Sequence, residues 1–108
     1  FLFTSRYEGL PTVLIEALAC KLPIISTDCP SGPREILSEN NQSVDNIDAC
    51  KYGILTPVDD THLFTKAIDM LLDDEILYNK YKDNAIERAQ YFSMEKSLEN
   101  LTNILERT

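Results

Sequence analysis

Apolar residues along the chain fall into two rhythms. Short apolar or β-branched runs occur at Phe1–Phe3, Ile24–Thr27 and Tyr52–Pro57, the last two bounded by Pro, Gly or Asp, which is the pattern of buried strands. Elsewhere apolar positions return every three or four residues. Val13, Leu14, Ala17 and Leu18 predict a helix from Pro11 to about Cys20, closed by Lys21-Leu22-Pro23. Pro33 opens a second, short helix through Leu37. Leu63, Phe64, Ala67, Ile68, Leu71 and Leu72 make a broad apolar face, with Asp59, Asp60 or Thr61 placed to cap it. Two more helices are expected, one over about 74–89 carrying Leu77, Tyr78, Tyr81, Ala85 and Ala89, and one from Ser93 carrying Leu98, Leu101 and Leu105. The polar stretch Ser38–Lys51, with Asn40, Asn41, Gln42 and Ser43 in series, reads as a mobile loop.

A strand, a helix and a strand in this order predict parallel pairing through a right-handed crossover. The fold class is therefore α/β: a partial Rossmann-like parallel sheet with flanking helices, ending in a helical tail over about 61–108.

Composition narrows the function. In 108 residues, 18 acidic side chains face 10 basic ones, a formal net charge of −8, and both halves of the chain are acidic. No basic stripe is present to hold a phosphodiester backbone, so no nucleic-acid partner is expected. The length supports one domain at most. No apolar run approaches the roughly 20 residues of a membrane span. Cys20, Cys29 and Cys50 are odd in number and widely spaced, and His62 is the one histidine. They predict reduced thiols rather than a disulfide framework or a zinc site.

The chemistry concentrates where the first strand meets the first helix. Glu8 lies in that turn, Glu16 lies more than one turn into the helix, and the helix N-terminus stands between them. Orphan N–H groups at a helix start favour anions such as pyrophosphate, and open parallel sheets bind ligands outside the carboxyl ends of their strands. Pro11 has no N–H to give. The donors are then the backbone groups of Gly9, Leu10, Thr12 and Val13, with the Thr12 hydroxyl added, and Gly9 permits close approach of the backbone. Carboxylates beside a phosphate suit the hydroxyls further along the ligand. Glu8 would address a sugar on one side of the diphosphate and Glu16 a ribose on the other. Taken alone, the two glutamates are also explained as dipole-stabilising or solvated residues near a helix start.

The surrounding residues add a resemblance. Phe3-Thr4-Ser5-Arg6-Tyr7-Glu8-Gly9-Leu10-Pro11-Thr12-Val13-Leu14-Ile15-Glu16-Ala17 closely resembles the Glu-x7-Glu motif of the large retaining glycosyltransferase family with two Rossmann-like domains, family 4 of the GT-B class. Leu22 to Asp28, Gly32 to Leu37, Gly53 to Pro57 and Phe92-Ser93 look like successive landmarks of that family's C-terminal domain, so the resemblance covers essentially the whole chain. It implies transfer of a sugar from a nucleotide-diphosphate donor to an acceptor hydroxyl, with retention at the anomeric carbon and no metal ion. It also implies that Glu8 contacts the donor sugar as the catalytic residue, that the backbone around Leu10 to Val13 holds sugar and phosphate, and that Glu16 binds ribose hydroxyls. The Gly32-Pro33-Arg34-Glu35 loop resembles members that build bacterial surface polysaccharides from UDP-linked hexoses or N-acetylhexosamines.

Further expectations depend on that resemblance. A chain opening on Phe1-Leu2-Phe3 reads as the C-terminal part of the nucleotide-sugar-binding domain of a larger protein, inert without the N-terminal domain and its diphosphate-clamping Arg and Lys. The parent is expected in the cytoplasm, peripheral at the inner face of the membrane, with a carbohydrate or lipid-linked acceptor. The opening strand is expected to expose apolar surface and to pair copies of the chain into a homodimer. Arg6 and Arg34 read as surface or locally paired cations, Glu35 as helix-start charge, and His62 as lacking a catalytic partner. Tyr78, Tyr81, Tyr91 and Phe92 read as packing residues, and Asp73-Asp74-Glu75 as helix-start charge. The rival reading is a non-catalytic interaction module that keeps the fold and has lost its ligand. A dinucleotide oxidoreductase is disfavoured by the lack of G-x-G-x-x-G in a chain with 3 glycines.

Overall fold

The computed structural model describes residues 1–4, 12–29, 32–38 and 45–106, leaving aside the side chains of Thr12 and 96–106. The chain runs β1 (Leu2–Phe3), α1 (Thr12–Ala19), β2 (Ile25–Thr27), α2 (Pro33–Leu37), β3 (Asp48–Ala49), β4 (Ile54–Thr56), α3 (Thr61–Asp73) and α4 (Glu75–Glu106). The sheet order is β1-β2-β4-β3. β1, β2 and β4 are parallel, with Leu2 opposite Ile25 and Ile25 opposite Ile54, and β3 joins the far edge antiparallel to β4.

Strand alternation sorts the core into two layers. Ile24 and Leu55 pack with Leu14, Ala17 and Leu18 of α1 and Ile36 and Leu37 of α2. Ile25 and Ile54 point the other way, onto Ala67 and Leu71 of α3. α4 serves both layers: Tyr81 joins the α3 side, and Ala85 and Ala89 join the α1 side. Leu14, Leu18, Ile24, Ile54 and Leu55 are wholly buried. Truncating any one to Ala would cost about 2–5 kcal/mol, since the cavity left cannot close fully.

α1 stops through its backbone. Lys21 takes a left-handed φ of 59°, and Leu22 N–H donates to Ala17 O at 3.1 Å while Lys21 N–H donates to Leu18 O at 3.0 Å. This is the paired bonding of a Schellman ending, with Lys where Gly is commoner. α3 starts on Asp60, whose Oδ1 accepts the Leu63 N–H at 2.9 Å, one of the caps expected from the sequence. Asp74, in extended backbone geometry, separates α3 from α4 and accepts the Leu77 N–H at 3.0 Å.

Two expectations are corrected. Asp48–Ala49 within the stretch read as a mobile loop forms the edge strand β3, returned to β4 by a turn in which Cys50 N–H donates to Gly53 O at 2.9 Å. The helices expected over 74–89 and from Ser93 are one continuous helix of 32 residues, about 48 Å long. Neither Gly nor Pro interrupts Gln90-Tyr91-Phe92-Ser93, and the Tyr91 hydroxyl donates to Glu95 Oε1 at 2.8 Å across the expected break.

Candidate functional site

β1, β2 and β4 all end on the same edge of the sheet, at Phe3, Thr27 and Thr56. The N-terminus of α1 follows β1, so the helix whose first turn was expected to hold an anion begins in the βα connection on that edge. Leu14 and Leu18 anchor it from below. Val13 and Glu16 remain exposed. The structure therefore leaves Glu16 open to solvent on α1. Of the other expected donor residues, Thr12 begins the helix. Glu8, Gly9 and Leu10, with Arg6, lie outside the described residues.

The loop leaving β2 is held on the same edge by a buried ion cluster. The Arg34 guanidinium grips Asp28 through Nε, 3.2 and 3.1 Å from its two carboxylate oxygens, and through Nη2, 3.0 Å from Oδ2. Nη2 also donates to Asp48 Oδ2 at 2.9 Å. Burial alone would push the guanidinium pKa down, but hydrogen bonds to Asp28 and Asp48, backed by their charges, raise it. Arg34 and Asp28 side chains are each 10% exposed. The expected local pairing of Arg34 is present with Asp28, six positions away, and Asp48 extends it into a tie between the end of β2, α2 and β3, while Glu35 stays exposed. Asp48 was missed because its strand was read as loop.

Arg88 of α4 holds α2 from its other end. Its Nε donates to Ile36 O and its Nη2 to Glu35 O, both at 2.8 Å, satisfying carbonyls that a short helix leaves open. The guanidinium also lies over the rings of Tyr52, Tyr91 and Phe92 at 4.8, 5.0 and 4.9 Å from their centroids. Sequence spacing carried no sign of a contact spanning more than fifty positions.

The remaining candidates resolve simply. His62 is exposed in the first turn of α3. All three cysteines are free thiols, Cys20 exposed and Cys29 and Cys50 buried. Burial pushes the Cys50 thiol up to about 11. Tyr81 is buried, whereas Tyr78 and Tyr91 are partly exposed. Among the described residues no three His, Cys, Asp or Glu side chains group as a metal site, and no helix is long and apolar enough to cross a membrane.

Known proteins are similar to this chain. The chain is 36% identical, over its whole length, to an uncharacterized glycosyltransferase of Methanocaldococcus jannaschii, of which it spans 31%. It is 33% identical, over 89% of its length, to 24% of the N-acetylgalactosamine-N,N'-diacetylbacillosaminyl-diphospho-undecaprenol 4-alpha-N-acetylgalactosaminyltransferase of Campylobacter jejuni. The chain thus spans about a quarter to a third of these curated relatives. The sucrose-phosphate synthase of Thermosynechococcus elongatus shares the fold, with a TM-score of 0.69 at 23% identity, over 98% of this chain and 25% of that one. Residues 1–88 match the family described as Glycosyl transferases group 1, and with four-fifths of its length inside that match the chain belongs to this glycosyltransferase family.

Proposed function

We propose that the chain forms the donor-binding part of a retaining glycosyltransferase that moves a sugar from a nucleotide-diphosphate donor, a UDP-sugar, to an acceptor hydroxyl. The observation that carries the reading is Glu16, exposed on the helix that opens at the carboxyl edge of a parallel sheet. The departing diphosphate gathers negative charge as the glycosidic bond breaks. Preorganised N–H groups of the first helical turn stabilise that charge without reorganising at the moment of reaction. This route needs no metal ion. Glu16 accepts hydrogen bonds from the ribose hydroxyls, Thr12 and Val13 with Gly9 and Leu10 hold phosphate and sugar, and Glu8 faces the donor sugar as the catalytic carboxylate.

The names of two relatives support a reading of acceptor and setting. The C. jejuni relative is named for a diphospho-undecaprenol acceptor, and another relative, from Erwinia amylovora, for amylovoran biosynthesis. A carbohydrate or lipid-linked acceptor in polysaccharide or glycoconjugate synthesis, met at the cytoplasmic face of a membrane, fits both. The 108-residue chain then binds donor without turning it over by itself.

Calorimetric titration with UDP, GDP and a UDP-hexose tests this. Saturable binding of the uridine nucleotides, unchanged by EDTA, is expected. Heat-silent titrations by all three into a chain shown to be folded would remove the reading.

A further inference from the structure

Each parallel strand ends on a threonine: Thr4 directly after β1, Thr27 closing β2 and Thr56 closing β4. Ile25 and Ile54 face α3, so Thr27 and Thr56, two positions on, face the same way. Phe3 packs on the α1 layer, which turns Thr4 toward the α3 side as well. There a cleft of about 250 Å³ opens, lined by Thr4, Thr27, Asp59, Asp60, Thr61 and Phe64. Thr56, the register partner of Thr27, is 1% exposed, and its Oγ1 has no hydrogen-bond partner. A buried hydroxyl left unpaired costs about 1–3 kcal/mol. Its side chain faces the cleft's side of the sheet, one strand from a lining residue.

We propose that this cleft is a subsite for one pyranose ring of the carbohydrate substrate, an inference that rests on the glycosyltransferase function above. A sugar ring offers hydroxyls that both donate and accept, and an apolar C–H face. Threonine hydroxyls exchange hydrogen bonds with it in both directions, and carboxylates accept from it. Asp60 is fixed by its cap bond to Leu63 and keeps acceptor capacity beyond that one bond. Phe64 supplies the apolar wall. The acidic lining disfavours a phosphate, which separates this cleft from the anion-binding start of α1 on the opposite face. Its volume lies below the roughly 300–1,000 Å³ that encloses a drug-sized ligand, which limits it to a single ring.

Because the function proposed above seats the donor sugar beside the start of α1 on the opposite face, the ring is that of the acceptor, and one titration tests this. Amide resonances of the ¹⁵N-labelled chain are followed as methyl hexopyranosides, UDP and a UDP-hexose are added. Movement at Thr27, Asp60, Thr61 and Phe64 with free hexosides is expected; movement there with UDP-hexose alone would give the cleft to the donor sugar and overturn the acceptor assignment. Thr27→Val, which removes a hydroxyl, and Asp60→Asn, which retains the cap, are each expected to weaken the sugar response about tenfold, the effect of losing one hydrogen bond to a charged or buried group. UDP-induced shifts at Val13 are expected to stay unchanged in both. The proposal is overturned if no sugar moves the cleft amides saturably, or if the response survives both substitutions at full strength. Hexoside shifts at the cleft without any UDP response would uphold the subsite and remove the nucleotide-donor reading.

Discussion

Arg34 and Asp28 form a two-pronged ion pair, Nε and Nη2 against one carboxylate at 3.0 to 3.2 Å, with both side chains 10% exposed. Six positions separate them in sequence, and the pair closes the loop between β2 and α2 while Asp48 draws in the edge strand. Removing one partner of such a pair strands the other charge in a poorly solvated place. Arg34→Met should therefore lower stability by about 3 kcal/mol in urea denaturation. Arg34→Lys should recover only part of that, because an ammonium cannot present the planar fork. Equal stability of the wild type and Arg34→Met would show that the cluster contributes nothing.

Two backbone positions respond in opposite directions. A Cβ on Gly53 would lie 2.9 Å from Ile24 O and 3.0 and 3.1 Å from the Leu37 methyl carbons. Gly53→Ala should thus destabilise by about 1–3 kcal/mol through overpacking. Lys21 holds a left-handed φ of 59°, a conformation that costs an L-residue about 1–2 kcal/mol. Lys21→Gly should raise the thermal midpoint; a fall would mean that the lysine side chain outweighs the backbone strain.

Alkaline pH should unfold the chain earlier than its surface charge suggests. Cys50 is raised from 9.0 to about 11, first by burial, so over that interval the folded chain holds a proton that the unfolded chain has released. The unfolded state then binds fewer protons, and stability falls as pH rises from about 9 to 11. Burial raises the Tyr81 phenol as well, which extends the loss upward. Denaturation midpoints across this range should decline, and more gently in Cys50→Ala. Under native conditions a thiol reagent should modify Cys20 and spare Cys29 and Cys50.

β1 is an edge of the sheet, and Leu2 on it and Phe1 just before it are 54% and 41% exposed. An unpaired apolar edge is a template for pairing with another chain. Sedimentation should show self-association that rises with concentration and is suppressed by Leu2→Lys. A monomer at every concentration would contradict it.

Much of the fold was legible because it rests on periodicity. The apolar spacing of Val13, Leu14, Ala17 and Leu18 located α1, the run from Leu63 to Leu72 located α3, and Pro33 marked the start of α2 to the residue. β3 was hidden because two paired residues in a polar stretch carry no alternation to read. The joined α4 was hidden because Ser93 is compatible with either a cap or a helix interior. At the site, the order of strand and helix placed the N-terminus of α1 on the carboxyl edge. The threonine-lined cleft was open to the same reasoning, since each lining segment closes or follows a parallel strand. Arg88 was not, because its partners on α2 depend on how α4 packs.

On the proposed function, Glu16 of α1 receives the ribose of a nucleoside diphosphate. The most direct measurement is a cycle of four calorimetric affinities, UDP and 2′-deoxy-UDP each against the wild type and Glu16→Ala. A carboxylate accepting from the ribose hydroxyls predicts about a tenfold loss from either change alone, and little further loss when both are made, because they remove the same contact. Losses that simply multiply, or an affinity for UDP that Glu16→Ala leaves intact, would contradict the account.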